Sequence, residues 1–387
     1  MKLIVVGDVH IAQSNHLGFV DPKEQINCRL IDYSKTLDKI IDHVRVNKID
    51  AVAFCGDYYK NRRPSNLHRR IFEEKIKQFS QLGTLVFLIA GNHDIVAENN
   101  STVLDSMKLA SYPNVNIYTD FGYMSLGTIH EDAINIIFAP YTNKHYYSAS
   151  TEREAVTKFE EKIAEMLECL DTSVPTILIG HNMVEGVKLG SIELSAEDEI
   201  NEMVLRKKSF KNIDLTIMGH VHTKQIISDN PHIVYVGSME RNNFSETKVD
   251  KGFLEINTEN FNAKFVKVPV RDIQDITLTE NYMEQLGSCN VKNAIVRIHV
   301  RCKKEDLYKV DIEEIHEMLK KKEVYHCVSI DTDPIDRIIE IDEKDLENLS
   351  DRELFTEYVK SSYDGHEELV KRGIEIMAEC REGDMDG

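Results

Sequence analysis

The stretch Ile213-Asp214-Leu215-Thr216-Ile217-Met218-Gly219-His220-Val221-His222 reads as a short apolar strand that ends in a glycine and two histidines. Four stretches earlier in the chain repeat this order. Leu3-Ile4-Val5-Val6-Gly7 leads into Asp8-Val9-His10, and Ala51-Val52-Ala53-Phe54-Cys55 leads into Gly56-Asp57. Leu85 to Ala90 runs into Gly91-Asn92-His93-Asp94, and Thr176-Ile177-Leu178-Ile179 runs into Gly180-His181-Asn182. Short runs rich in Val, Ile and Leu predict buried strands, and each glycine marks a sharp turn where a strand stops. Open α/β sheets place their ligands at such strand ends.

Between these stretches the apolar period changes. Ile26, Leu30, Tyr33, Leu37, Ile41 and Val44 recur every three or four residues, which predicts a core-facing helix. Leu67 to Phe79 and Glu154 to Leu170 read as further helices, while Ile134 to Ala139, His232 to Val236 and Gly252 to Ile256 read as strands. Residues 1–268 are therefore expected to form a layered α/β domain, two packed sheets with helices outside. After Pro269 the texture shifts. Ala294 to Val300 alternates as a half-buried strand, Asp311 to Lys322 has helical spacing, and Val324 to Ile330 is a second strand. This predicts a small α+β module over 269–335, with Asp331-Thr332-Asp333-Pro334 as the break that follows. In 336–387 a capping box, Ser350 with Glu353, opens one amphipathic helix, and Glu367 to Cys380 reads as another. Two such helices are too short to build a core of their own. They must bury their apolar faces on the rest of this chain or on a partner.

Charge is unevenly spread along the 387 residues, whose formal net charge is −19. Residues 331–387 hold 19 acidic and 7 basic side chains, whereas 259–330 carry 12 of each sign. Phosphate neutralisation by Lys and Arg dominates nucleic-acid binding. An acidic tail on a nearly balanced body is compatible with DNA binding by the body. No apolar run reaches 18 residues, so no membrane span is expected. The opening residues read as a core strand, which argues against a secretory signal. Seven scattered cysteines without a CxxC pattern suit a reducing cytoplasm.

The polar residues at the strand ends are Asp8, His10, Asp57, Asn92, His93, His181, His220 and His222. Oxygen and imidazole donors in this mixture suit divalent manganese, iron or zinc better than calcium. A lone His is usually a hydrogen-bonded surface or core residue; five such elements, each after its own buried strand, point to a metal centre. Seven donors exceed the roughly four to six that one ion accepts, so two ions are expected. A carboxylate can bridge them, and Asp57 sits centrally in the order. The expected sets are Asp8, His10, Asp57 and His222 for one ion, and Asp57, Asn92, His181 and His220 for the other. Ions about 3.5 to 4 Å apart would share a bridging hydroxide that attacks phosphorus in line. His93 is left over, available to donate a proton to the leaving oxygen with Asp94 orienting it.

The set DVH, GD, GNHD, GHN and GHVH resembles the calcineurin-like metallophosphoesterase superfamily. Val236 to Glu246, followed by Lys251-Gly252-Phe253, is similar to the stretch that closes the catalytic domain of SbcD-type nucleases, the nuclease subunits of double-strand-break repair and phage recombination complexes. The resemblance implies a manganese-dependent exonuclease and endonuclease whose module over 269–335 caps DNA. It also implies that the tail over 336–387 docks an SbcC-like ABC-type ATPase, with a homodimer of the nuclease inside a heterotetramer. Two positions depart from the family's usual motifs, Ala12 in place of the glycine of DxHxG and Lys60 in place of the second carboxylate of GDxxD. Lys60 also begins a basic run with Arg62, Arg63, Arg69 and Arg70, which fits either a solvated helix face or a hold on the DNA backbone. A small-molecule or phosphoprotein phosphoesterase on the same scaffold is the alternative, and a scaffold without catalysis is a third reading that the retained ligand set opposes.

Overall fold

Strands buried on both faces need no polar alternation, and that is how the central strands of the two large sheets of this computed structural model are built. It describes residues 1–96, 101–127, 133–188, 202–259, 262–334, 356 and 369–374. One six-stranded sheet runs Asn262–Lys267, Gly252–Asn257, Lys2–Val6, Ala51–Phe54, Leu85–Ile89, Val115–Tyr118. The other runs Gln225–Asp229, His232–Tyr235, Leu215–Met218, Thr176–Gly180, Ile134–Ala139, Gly122–Leu126. Lys2–Val6, Ala51–Phe54 and Leu85–Ile89 are parallel neighbours, as are Ile134–Ala139, Thr176–Gly180 and Leu215–Met218.

Alternate residues of each strand serve different layers. Leu3, Val5, Ala53, Phe87 and Ile89 meet Ile136, Phe138, Ile177, Ile179 and Ile217 between the sheets. Ile4, Val6, Val52, Phe54 and Leu88 turn the other way and pack with Leu30, Leu37, Ile40, Phe72 and Phe79 of two outer helices, Cys28–Asn47 and Asn66–Gln81. On the far side Ile137, Leu178, Met218 and Tyr235 pack with Phe159 and Ile163 of the helix Glu152–Glu168. Local chemistry fixes where these helices start. Asn27, Ser65 and Thr151 accept the N–H groups of Arg29, His68 and Glu154. The expected sandwich of two sheets with helices outside is therefore present.

By its contacts the chain divides into two compact units. The first comprises Met1–Ile276, Asn290–Arg297 and Glu317–Ser329, and the second Thr277–Cys289, Ile298–His316 and the residues from Ile330 onward. A three-stranded sheet follows the two large ones, in the order Ile273–Leu278, Ile295–Cys302, His326–Pro334. Asp331 to Pro334, read from the sequence as a break, instead continue the last of these strands. The strand lies at a sheet edge, and a proline at its final residue leaves the ladder intact because an edge can spare one N–H. Of the expected tail helices, 369–374 are helical. The capping box at Ser350 and Glu353 lies outside the described residues.

Within the first unit a buried ion network ties the helix Cys28–Asn47 to two later segments. Asp32 accepts Arg29 Nη1 at 2.6 Å and both Nε and Nη2 of Arg271 at 2.8 and 2.7 Å. Arg29 Nη2 donates to the carbonyl of Arg241, and the Arg271 guanidinium stacks 3.4 Å from the ring centre of Tyr325. Removing one partner of such a group strands the others in a low dielectric. Asp32→Ala is expected to cost about 3–5 kcal/mol and Lys267→Ala, which breaks an exposed pair with Asp250, almost nothing. Urea unfolding midpoints of the two variants check the ranking.

Candidate metal centre

The expected donors converge at the ends of the parallel strands, and the backbone there is bent hard. His10, Asp57 and His220 all have positive φ, at 51°, 53° and 79°. Non-glycine residues adopt this region at a cost of about 1–3 kcal/mol, and they persist there where surrounding structure fixes them. Two glycines admit the close approach. A Cβ on Gly91 would lie 2.2 Å from Asp57 Oδ1, and one on Gly219 would lie 2.7 Å from Asp8 Oδ1.

The side chains fall into three overlapping sets, linked through His10 and Asp57. Ligating atoms of Asp8, His10 and His222 lie within 4.8 Å of one another, as do those of Asp57, His181 and His220 and those of His10, Asp57 and His93. Asp57 Oδ2 is 3.4 Å from His10 Nε2 and 3.3 Å from His181 Nε2, so one carboxylate oxygen faces both sides. Asn92 Oδ1 is 3.2 Å from His181 Nε2 and 3.1 Å from His220 Nδ1. His220 and His222, two positions apart, fall in different sets.

The donor chemistry fits divalent cations. Asp8, His10, Asp57, Asn92, His181, His220 and His222 are all buried. Asp8 Oδ2, His10 Nδ1 and His220 Nε2 are buried without a hydrogen-bond partner among the described residues. Buried polar atoms normally find partners, and atoms of this kind left facing one another suit ions that would take their lone pairs. Burial lowers the His10 imidazole well below its ordinary range, with His222 adding to the fall, and takes His220 down to about 3, with His181 next in effect. Both are thus neutral and able to ligate. Against burial, Asp57 and Asp8 lift His181 to about 10, while His181 and His93 hold the equally buried Asp57 carboxyl well below the carboxylate range. The carboxylates that lift His181 make this a place where positive charge is favoured.

His93 is half-buried, its ring centre 5.0 Å from that of His10, and its Nδ1 lies 2.7 Å from the carbonyl oxygen of Lys60. Asp94 takes a different part from the orienting one read in the sequence. Its fully buried carboxylate accepts the N–H groups of Asp57 at 2.7 Å, Tyr58 at 3.0 Å and Gly91 at 2.8 Å. It thereby fixes two loops to each other, and His93 N in turn donates to Asp57 Oδ1 at 2.9 Å. The basic run divides. Arg62 Nε donates to the carbonyl of Asn92 at 3.1 Å and Arg69 Nη1 to that of Val103 at 3.2 Å, while Lys60 and Arg63 are exposed.

Two carboxylates behind the histidines escaped the sequence reading. Glu246 is completely buried, with Oε1 2.9 Å from His222 Nδ1 and Oε2 2.7 Å from the equally buried Lys251 Nζ. Glu202 Oε2 lies 3.8 Å from His220 Nε2 and accepts the Tyr141 hydroxyl at 3.1 Å. Glu246 entered the sequence reading only inside a family-like stretch; a Glu and a Lys five residues apart were the signal for it.

The family model for calcineurin-like phosphoesterase matches residues 1–224. The chain belongs to that family. Among curated relatives, a Staphylococcus saprophyticus protein that bears the name of the SbcD component of the nuclease SbcCD is 24% identical, over 78% of this chain and 78% of its own. A Staphylococcus epidermidis protein of the same name is 23% identical over 91% of this chain and 92% of its own. The DNA double-strand break repair protein Mre11 of Archaeoglobus fulgidus is 23% identical over 92% of this chain and 79% of its own. In a family whose chemistry runs through metal ligands, a carboxylate on the far nitrogen of a histidine fixes the ring and its tautomer. Glu246→Gln is expected to weaken manganese binding by roughly 10–100-fold at the set containing His222, leaving the other set near its original affinity. Titration calorimetry on the apoprotein separates the two steps.

Proposed function

We propose that the chain is a metal-dependent DNA nuclease, acting as exonuclease and endonuclease, and the nuclease subunit of an SbcCD-like recombination and repair complex. The observation that carries the reading is the run of histidine and carboxylate sets linked through His10 and Asp57. The names of the three relatives support DNA as substrate. Asp8, His10, Asp57 and His222 would hold one ion and Asp57, Asn92, His181 and His220 the other, with manganese, the metal that the resemblance implies, among the divalent ions these donors suit. Bound there, two divalent ions would supply Lewis-acid activation of water and of the phosphoryl oxygens.

The chain's own groups then have defined tasks. Asp94 and the left-handed turns hold the donors in place before substrate arrives. His93, with Nδ1 engaged by the Lys60 carbonyl, would in its cationic form give a proton to the leaving oxygen. Lys60 and Arg63, both exposed, would contact the DNA backbone. Residues 269–335 would cap the DNA and 336–387 would dock an SbcC-like ABC-type ATPase. The nuclease would work as a homodimer within a heterotetramer in the cytoplasm. No described helix is long and apolar enough to cross a membrane.

A small-molecule or protein phosphoesterase is the competing reading on this scaffold. Purified protein with manganese is expected to degrade linear DNA faster than it hydrolyses an aryl phosphate monoester, and the reverse ranking would replace the nuclease with the phosphoesterase. His93→Ala is expected to keep manganese binding in calorimetry while cleavage falls by about 10²–10⁴-fold, the usual worth of a positioned acid. Loss of metal together with activity would make His93 a ligand.

A further inference from the structure

His181 and His222 are held from behind in the same way. His181 turns Nε2 toward Asp57 Oδ2 and Asn92 Oδ1, and its Nδ1 toward the carbonyl of Cys55. His222 turns Nε2 toward Asp8 Oδ2 at 3.7 Å and Nδ1 toward Glu246 at 2.9 Å. In each ring one nitrogen faces other donors, and an oxygen holds the nitrogen behind it. His220 presents the opposite nitrogen. Its Nδ1 lies 3.1 Å from Asn92 Oδ1, which leaves Nε2 behind the ring. That Nε2 is buried and makes no hydrogen bond among the described residues. An imidazole that gives one nitrogen to a cation carries its hydrogen on the other, and a buried N–H left without an acceptor is costly.

The carboxylate facing that nitrogen is Glu202. Its Oε2 is 3.8 Å from His220 Nε2, about 1 Å beyond a hydrogen bond. The same oxygen accepts the Tyr141 hydroxyl at 3.1 Å, and a carboxylate oxygen has lone pairs for a second donor. Elements that carry metal donors also place these two residues. Glu202 and Met203 lead into the short strand Val204–Leu205, which pairs in parallel with Met183–Val184, just after His181 and Asn182. Met203, Leu205, Met183 and Val184 are buried together with Phe159 and Ile163 of the helix Glu152–Glu168. Tyr141 N donates at 2.8 Å to the carbonyl of Ala90, the residue before Gly91-Asn92, and its ring centre is 5.9 Å from that of His220. Glu202 thus reaches His220 from a strand tied to the His181 turn, and Tyr141 reaches Glu202 from a position tied to the Asn92 turn.

We propose that Glu202 is the positioning residue of the donor set formed by Asp57, Asn92, His181 and His220: it takes the Nε2–H of His220 and so fixes the ring with Nδ1 toward the ion. The proposal rests on the two-ion reading above. Its test is calorimetric titration of the metal-free full chain with manganese, in which His220→Ala identifies the binding step that depends on this ring. Glu202→Gln keeps an uncharged acceptor and Glu202→Ala keeps none. They are expected to weaken that step by roughly 10-fold and 100-fold, the range found for partners of metal-bound histidines, and to leave the other step at the parent's affinity. Tyr141→Phe, which removes only the hydroxyl that orients the carboxylate, is expected to weaken the same step by less than Glu202→Gln. Combined with His220→Ala, Glu202→Gln should change manganese binding no further, because the carboxylate acts through the ring. Parent-like affinity in both Glu202 variants would overturn the proposal. Equal weakening of both steps would overturn it too, since that marks a general disturbance of the fold. A further loss on top of His220→Ala would do the same, by making Glu202 a donor in its own right. Should Glu202→Ala fail to fold, Glu202→Gln and Tyr141→Phe decide by the same criteria. A parent protein that takes up a single ion would remove the two-ion reading itself, and this proposal with it.

Discussion

The Asp94 carboxylate accepts three main-chain N–H groups from two different loops, and the centre depends on that constraint. Neither loop could hold its shape alone. Asp57 sits at positive φ directly after Gly56, also at positive φ, a conformation that a free loop would leave. Asp94 binds this turn to the Gly91 turn from the neighbouring strand, and so sets the distance between Asp57 and Asn92. Burial, with Asp57 beside it, pushes the Asp94 carboxyl up to about 8. A group that costly to bury is retained for what it positions.

A second layer of buried charge stands behind the donors. Glu246, Lys251, Ser238 and the His222 carbonyl are linked, with Lys251 Nζ 2.6 Å from Ser238 Oγ and 3.3 Å from His222 O. Glu246 thus reaches the side chain of His222 and Lys251 reaches its main chain. Both coordinates of one imidazole, its rotation and its height, are fixed from a single ion pair. Pairs of this kind contribute little net stability, which places their value in geometry.

The fold was legible where burial is two-sided. Leu3 to Val6 or Thr176 to Ile179 present mostly apolar residues because one face meets the opposite sheet and the other meets a helix, and composition reports that directly. The convergence of Asp8, His10, Asp57, His181, His220 and His222 was legible too, since parallel strands bring their ends to one edge. Ile273–Leu278 was missed because its buried positions, Ile273 and Leu278, are separated by polar residues, Gln274 and Asp275 among them. The roles of Glu246 and Asp94 were hidden for a different reason. Each acts through a partner, His222 or the Asp57 main chain, that lies 24 or 37 residues away, and no local pattern encodes a meeting of that kind.

The position of Lys2–Val6 inside its sheet bears on how the chain is made. This strand is flanked by Ala51–Phe54 on one side and by Gly252–Asn257 on the other. During synthesis at about 5–20 residues per second, the first partner arrives within seconds and the second only after tens of seconds. Until then an apolar strand presents an open row of N–H and C=O groups, the feature that invites pairing with other chains. His220 and His222 emerge in the same late interval. The partner strand that closes this edge and the metal-binding turn therefore become available in the same late interval of synthesis.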